Sequence, residues 1–393
     1  MDRSANDAGN GAETFRDRVR FDRNEFSGAF GDIGTSFPLI VGMILVCGLD
    51  ATSVLVLYGA LQIFTGLYYG MPMPVQPLKA MAVIVITQKL SGNVLYGGGL
   101  AIGIVMLLLT VTGVIDWVAN AVPKSVVRGI QFGLGLQLAA LALKDYVPAD
   151  GKIGFVIASV AFLIGILLLG NRKFPPALLI VFLGVAYALF TKINAANLVH
   201  SFGLHLPQLR HPALADIVTG FVILALPQLP LSLGNSILAT RQVAEDLFPK
   251  RGVTVRKISL TYSLMNLVNP FFGGVPTCHG SGGIAGHYAF GARTGGSVII
   301  AGTLYAILGL FFGAGFRLIV DLFPHPILGV ILLFEAVALI KLVRDMAASA
   351  ADFTIVLLVG LIAFGVPYGY VIGLVIGTAL AYWLRRKPAS FAA

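Results

Sequence analysis

The chain has 393 residues, of which 57% are hydrophobic and only 11% charged, with a mean hydropathy of +0.88 and a formal net charge of +9. A soluble domain carries roughly 25% charged residues and could not hide this much apolar sequence, so the composition excludes a water-soluble globule and makes lipid the solvent. The positive charge does not mark a nucleic-acid binder, because the basic residues fall in the loops between apolar runs.

The first 24 residues are polar, carry five arginines and lack the apolar core of a secretory signal. Within them, Phe15–Phe26 alternates Phe or Val with Arg and Asp, and it reads as part of a solvated cytoplasmic tail over 1–25.

Apolar runs then recur to the end of the chain, broken by short charged or Gly/Pro-rich stretches. Fourteen are read, at about 26–47, 50–69, 72–88, 94–115, 120–142, 153–170, 174–191, 215–240, 256–272, 275–290, 296–316, 324–341, 351–365 and 367–384. Several are near the ~20 residues a spanning helix needs. The predicted fold is therefore an all-α membrane protein with 14 transmembrane segments.

An even number of crossings leaves both termini on one side. With that side taken as the cytoplasm, 20 of the 27 Lys and Arg residues face it, six face outward and Lys79 lies inside a span. Basic residues gather in cytoplasmic loops, so the bias supports the orientation and the segment count in the inner (plasma) membrane. The extracytoplasmic loop 192–214 holds His200, His205 and His211, whose spacing matches no tight metal motif. It reads as an exposed loop without metal. Cys47 and Cys278 lie in apolar or Gly-rich sequence and imply no disulfide framework. Tyr382, Trp383 and Arg385–Lys387 read as an interfacial anchor leading into a cytoplasmic tail over 385–393.

Segments 1–7 (26–191) and 8–14 (215–384) read as two copies of one unit. The third segment of each copy is broken. Residues 70–82 run Gly-Met-Pro-Met-Pro-Val-Gln-Pro-Leu-Lys-Ala-Met-Ala, and residues 273–286 run Gly-Gly-Val-Pro-Thr-Cys-His-Gly-Ser-Gly-Gly-Ile-Ala-Gly. Each begins as a short extended stretch and continues as a half-helix. Seven is odd, so the second copy enters the membrane from the opposite side. Broken segments at matching places in two inverted halves mark a central site. Unwound backbone at mid-membrane survives only inside protein or beside a cavity.

Each half-helix presents orphan amides and roughly half a positive charge, so two of them form an anion site. Candidate binding residues are Leu78, Lys79, Gly280, Ser281 and Gly282 at the breaks, with Gln76, Cys278 and His279 beside them. Thr35 and Ser36 in segment 1, and Gln228, Ser232 and Asn235 in segment 8, interrupt apolar spans and complete a polar shell. Ser236 belongs to the same polar group. Such a donor-rich shell suits a tetrahedral dianion such as sulfate or molybdate. Lys79, His279 or a co-transported cation would balance the second charge. Asp32 reads as a helix cap, an ion partner of Lys79, or a proton-coupling acid. No phosphate-cradling loop, zinc-protease helix or serine elbow is present, so neither an enzyme nor ATP-driven transport by this chain is expected, and no cofactor is implied.

At these motifs the chain resembles the molybdate transporter family, distant relatives of the SulP sulfate permeases. The matching stretches are Phe30-Gly31-Asp32-Ile33-Gly34-Thr35, Met71-Pro72-Met73-Pro74-Val75-Gln76-Pro77-Leu78-Lys79, Leu226-Pro227-Gln228-Leu229-Pro230-Leu231, Val275-Pro276-Thr277-Cys278-His279-Gly280-Ser281-Gly282-Gly283 and Phe290-Gly291-Ala292-Arg293-Thr294-Gly295. The resemblance implies a seven-plus-seven inverted-repeat fold and secondary active transport of molybdate. Segments 1–4 and 8–11 would form a core moving as an elevator against a gate of segments 5–7 and 12–14. The alternatives are sulfate or another oxyanion, a nucleobase permease of the same fold, and a passive anion channel. No STAS domain is expected here. Asn235 stands where SulP relatives often carry an acid, and His279 where they often carry an arginine, which puts the SulP coupling mechanism in doubt for this chain. A homodimer is left open.

Overall fold

The computed structural model describes residues 15–115, 117, 121–168, 176–191 and 202–386. In chain order the elements are α1 (Phe15–Arg18), α2 (Arg23–Gly28), α3 (Ile33–Cys47), α4 (Ala51–Tyr69), β1 (Val75–Pro77), α5 (Lys79–Gln88), α6 (Gly92–Thr112), α7 (Lys124–Leu141), α8 (Gly151–Leu167) and α9 (Pro176–Thr191). The second half contains α10 (Leu214–Leu247), α11 (Val255–Val268), β2 (Thr277–His279), α12 (Ser281–Ala289), α13 (Gly296–Leu322), α14 (His325–Lys341), α15 (Ala350–Gly365) and α16 (Gly369–Arg386). Every apolar run read from the sequence contains one of these helices. Among the described residues, six are long and apolar enough to cross a membrane by themselves: α4, α6, α7, α10, α13 and α14.

Two boundaries moved for physical reasons. The first apolar run begins at Ile33 rather than 26, because Arg23–Gly28 folds as a separate short helix followed by a turn. α10 runs on to Leu247, past the end of its apolar stretch. Its last turns are amphipathic, with an Arg241–Glu245 pair at 2.8 Å one turn apart. α10 also contains two π-helical stretches, Phe221–Ala225 and Ser232–Ala239. These flank Pro227 and Pro230, which cannot donate to the helical ladder.

The described part of the expected tail, residues 15–25, is mostly exposed but is anchored to the helices; residues 1–14 lie outside the described set. The cause is Glu25, which is fully buried. Its carboxylate accepts from the amides of Arg293 (2.9 Å), Thr294 (2.8 Å) and Ser297 (2.9 Å), capping the N-terminus of α13. Arg20 N donates to Thr294 Oγ1, and Gly295 N to Arg18 O. Of the expected exposed loop 192–214, residues 202–213 run past the middle of α13 and the start of α4, with His205 N donating to Leu310 O and Gln208 N to Ser53 Oγ. His200 lies outside the described residues.

The helices pack as two groups. In one, α4 lies along α13, and α6 lies against α10 and α11. In the other, α7 packs on α14 and α15, with α8 on α14 and α16 on α15. The α4–α13 seam is built on glycines seven residues apart: Gly59 and Gly66 on one side, Gly295, Gly302 and Gly309 on the other. A Cβ at Gly302 would stand 2.5 Å from Gly59 O and 2.7 Å from Gln62 Cβ. In lipid, such close backbone approach supplies the association that the hydrophobic effect cannot. Because the opposing atoms are backbone, no rotamer change relieves a clash. Gly302→Leu should therefore cost about 3 kcal/mol. Gly365→Ala meets nothing within 4 Å and should leave stability unchanged. Thermal unfolding of both variants in detergent checks the contrast, and equal unfolding temperatures would refute the seam's role.

Candidate functional site

The two broken passages meet as neighbouring strands. β1 and β2 pair antiparallel in the register Val75–His279, Gln76–Cys278 and Pro77–Thr277. Prolines and glycines prevent helix here, so each strand needs outside partners for its backbone. Two side-chain amides supply them in the same way. Gln62 on α4 donates to Val75 O (3.1 Å) and accepts from Val75 N (3.0 Å). Asn266 on α11 donates to Thr277 O (2.6 Å) and accepts from Thr277 N (2.9 Å). Each amide completes one buried peptide as a third strand would. Sequence reasoning missed both residues; the signal was a Gln or Asn within the apolar run just before each break.

The antiparallel register sends α5 and α12 away in opposite directions, so both N-termini point back toward the strand pair. A cavity of about 430 Å³ lies there. Of the residues expected at the site, Asp32, Gln76, Lys79, Gln228, Asn235, Cys278, His279, Gly280, Ser281 and Gly282 line it. The rest behave differently. Ser36 is buried behind Asp32 and donates to its Oδ2 (2.9 Å). Ser232 lies one layer back, accepting from Gln228 Nε2 (3.0 Å) and bonding Tyr262 OH (2.7 Å). The side chain of Thr35 lies outside the described set.

The two half-helix ends are not equivalent. At α5, the Leu78 amide expected as an anion donor is taken by Pro276 O (3.0 Å), and Leu78 does not line the cavity. The amides of Ala80 and Met81 both donate to Gln228 Oε1, at 2.9 and 3.3 Å. α10 thus caps α5. At α12, no protein acceptor among the described residues takes the amides of Ser281, Gly282 or Gly283. At α5 the Lys79 amide alone of the first four has no acceptor among the described residues, so direct backbone donors come mainly from α12, whereas α5 adds that amide, its dipole and the Lys79 side chain.

Asp32 occupies the N-cap position of α3 but makes no side-chain cap bond. Its Oδ1 instead accepts from Gln76 Nε2 at 2.6 Å, which orients Gln76. His279 is fully buried, with Nε2 at 2.7 Å from Thr261 Oγ1 and its ring edge-on to Tyr69. His279 also lines the cavity, and its Nδ1 has no hydrogen-bond partner among the described residues. Lys79 is half-buried and makes no hydrogen bond or ion pair among the described residues.

Arg128, not among the residues expected at the site, lies in the second turn of α7 and lines the cavity. Its Nε and Nη2 donate to Asp345 (3.0 and 2.7 Å) and its Nη1 to Gln131 Oε1 (2.9 Å). Lys124 also pairs with Asp345, at 2.8 Å. Leu339 and Leu342, one turn apart at the end of α14, line the same side. Glu335, a further turn back on that face, is buried and within electrostatic reach of Lys79 and Asp32.

Two neighbouring glycines separate cavity from scaffold. A Cβ on Gly283 would stand 2.5 Å from Pro74 Cγ and 2.8 Å from Gln76 Nε2, whereas one on Gly282 meets nothing within 4 Å. Pro74 cannot rotate away. Gly283→Ala should cost about 1–3 kcal/mol, and Gly282→Ala should leave stability unchanged while narrowing the cavity. Thermal unfolding of the two variants tests this, and equal losses would sink the assignment.

Paired strands that hold two half-helix ends over a polar cavity inside an apolar helical domain define a helical membrane protein of the SLC26 fold. The overall structure of SLC26A9 matches with a TM-score of 0.65 and 14% identity, covering 92% of this chain; the chain spans 65% of that protein. The transmembrane domain of the cyanobacterial bicarbonate transporter BicA matches with a TM-score of 0.63 and 17% identity, covering 93% of this chain and 98% of that domain. The chain belongs to the molybdate transporter family. The family model described as molybdate transporter of the MFS superfamily matches residues 24–138 and 220–339. Molybdate transporter 2 of Arabidopsis thaliana is 34% identical over 84% of this chain and 81% of its own length. Molybdate transporter 1 of the same plant is 33% identical over 93% and 90% respectively. These relatives are transporters and not enzymes.

Proposed function

We propose that this protein is a secondary active transporter that carries molybdate across the inner (plasma) membrane. One observation carries the reading: the β1–β2 pair brings the N-termini of α5 and α12 to one cavity that Lys79 lines. Molybdate offers only acceptors. The free amides of Ser281 and Gly282 and the side chains of Gln76, Lys79, Asn235 and Ser281 are donors of the kind it needs. Family membership and the names of the Arabidopsis relatives support molybdate over other oxyanions.

In this reading all fourteen runs cross the membrane as two inverted repeats, over 26–191 and 215–384, with loop 192–214 outside and both termini cytoplasmic. The matching roles of Gln62 and Asn266, each on the helix before its strand, support the repeat. The two packing groups support an elevator, with α3–α6 and α10–α13 carrying the anion past α7–α9 and α14–α16. Asp32 is the first candidate for coupling to a proton, because its carboxylate lines the cavity and orients Gln76.

Uptake of labelled molybdate into proteoliposomes tests the reading. Saturable uptake that excess sulfate blocks poorly is the expected result. No saturable uptake, or equal block by both anions, overturns molybdate selectivity. An inward proton gradient should drive accumulation above equilibrium, which separates symport from a passive channel.

A further inference from the structure

A second polar pocket, of about 300 Å³, lies outside the central cavity. Its walls are Arg18 at the end of α1, Tyr68 and Tyr69 at the end of α4, Lys250 and Arg251 in the turn before α11, and Lys257 on α11. Four cationic side chains thus share one concavity with no acid among its lining residues. Arg251 is engaged with Asp17, so the like charge left to offset is chiefly that of the two lysines.

The walls are fixed by bonds that leave the two lysines uncommitted. Arg18 Nη2 donates to the last carbonyls of α4, Leu67 O (3.2 Å) and Tyr68 O (2.9 Å). Arg251 Nη2 donates to Asp17 O, which ties the turn to α1. Tyr69 OH bonds Lys257 O (3.2 Å) and Thr261 Oγ1 (2.7 Å). By contrast, Lys250 makes no ion pair among the described residues, and Lys257 Nζ reaches only Gly252 O, at 3.4 Å. Beside the pocket, α4 exposes an apolar strip of Phe64, Leu67 and Tyr68, with the Phe64 and Tyr68 rings stacked at 5.7 Å. A basic recess bordered by exposed apolar surface at a helix end matches the phosphate and acyl parts of an anionic lipid.

We infer that this pocket binds a phosphate group, carried by an anionic phospholipid or by free phosphate. Lys250 and Lys257 supply the adjustable charge, while Arg18 and Arg251 shape the recess. The inference is independent of what the central cavity carries.

The test titrates the delipidated full-length protein in detergent and follows thermal unfolding. Phosphatidylglycerol and inorganic phosphate are the probes, and phosphatidylcholine is the neutral reference. Saturable stabilisation by phosphatidylglycerol alone assigns the lipid headgroup; stabilisation by inorganic phosphate as well assigns the free anion. In either case the double variant Lys250→Gln/Lys257→Gln should weaken the apparent affinity about thirtyfold, from roughly fivefold per lysine. Lys341→Gln/Arg344→Gln, two exposed cations outside the pocket, should leave it unchanged. The inference fails if neither probe stabilises more than phosphatidylcholine. It also fails if the two double variants lose affinity equally, which would mean a diffuse basic surface. It fails again if phosphate stabilises wild type and Lys250→Gln/Lys257→Gln alike, which would place phosphate in the central cavity.

Discussion

Lys79→Gln should raise the molybdate concentration for half-maximal uptake by about a thousandfold. Two half-helix ends offer roughly one positive charge to a dianion, which leaves about one negative charge to offset. Asp32 lines the cavity and Glu335 lies within electrostatic reach, so the nearby acids oppose the anion. Lys79 is the cation that lines the cavity without an acid holding it, since Arg128 is committed to Asp345. A unit charge about 4 Å from the anion at an effective dielectric near 20 is worth about 4 kcal/mol, or close to three decades in affinity. Lys79→Arg keeps the charge and should recover part of the uptake. Proteoliposome uptake measured against molybdate concentration checks both variants. A Lys79→Gln protein with wild-type half-saturation would remove Lys79 from the site.

The second large effect separates scaffold from charge at a single residue. Gln228 Oε1 accepts from Ala80 N and Met81 N across 148 and 147 residues of sequence. Gln228→Ala leaves both buried amides without an acceptor, at about 1–3 kcal/mol each, so it should lower the unfolding temperature sharply. Gln228→Glu keeps an acceptor of the same length at the start of α5, where a carboxylate is welcome. Ser232 can turn its hydroxyl to donate to the new carboxylate. That variant should therefore fold normally and still fail to transport. A negative charge about 6 Å from the anion costs about 3 kcal/mol at the same dielectric, roughly a hundredfold in half-saturation. Unfolding and uptake measured side by side decide it. Should Gln228→Glu transport normally, or Gln228→Ala unfold like wild type, the capping role is wrong.

Both experiments bear on where substrate selectivity arises. The α12 end offers free amides beside Gly282, where the backbone is open to the cavity. The α5 end has given the amides of Ala80 and Met81 to α10 and that of Leu78 to Pro276, and presents chiefly a flexible cation. A rigid set of amides facing one adjustable ammonium recognises shape on one side and charge on the other. Gln76, held at 2.6 Å by Asp32 and packed against Gly283, completes the rigid side.

The sequence by itself determined the lipid environment, the apolar runs and the two broken passages. Those features follow from composition, from the spacing of charges and from proline and glycine, all of which act on neighbours along the chain. It also marked Gln76, Lys79 and Cys278–Gly282 as residues facing one cavity, because a break in a membrane helix leaves backbone that only a cavity or enclosing protein can tolerate. Tertiary structure alone decided which donors are free. Nothing near Leu78 in sequence shows that Pro276 takes its amide, or that Gln228 caps α5. Nothing local shows that Glu25 leaves the expected tail to cap α13, some 270 residues away. Arg128 reaches the cavity, and His279 finds Thr261, for the same reason. A buried polar group takes whichever partner the packed helices bring within about 3 Å, and that choice is made in space between distant parts of the chain.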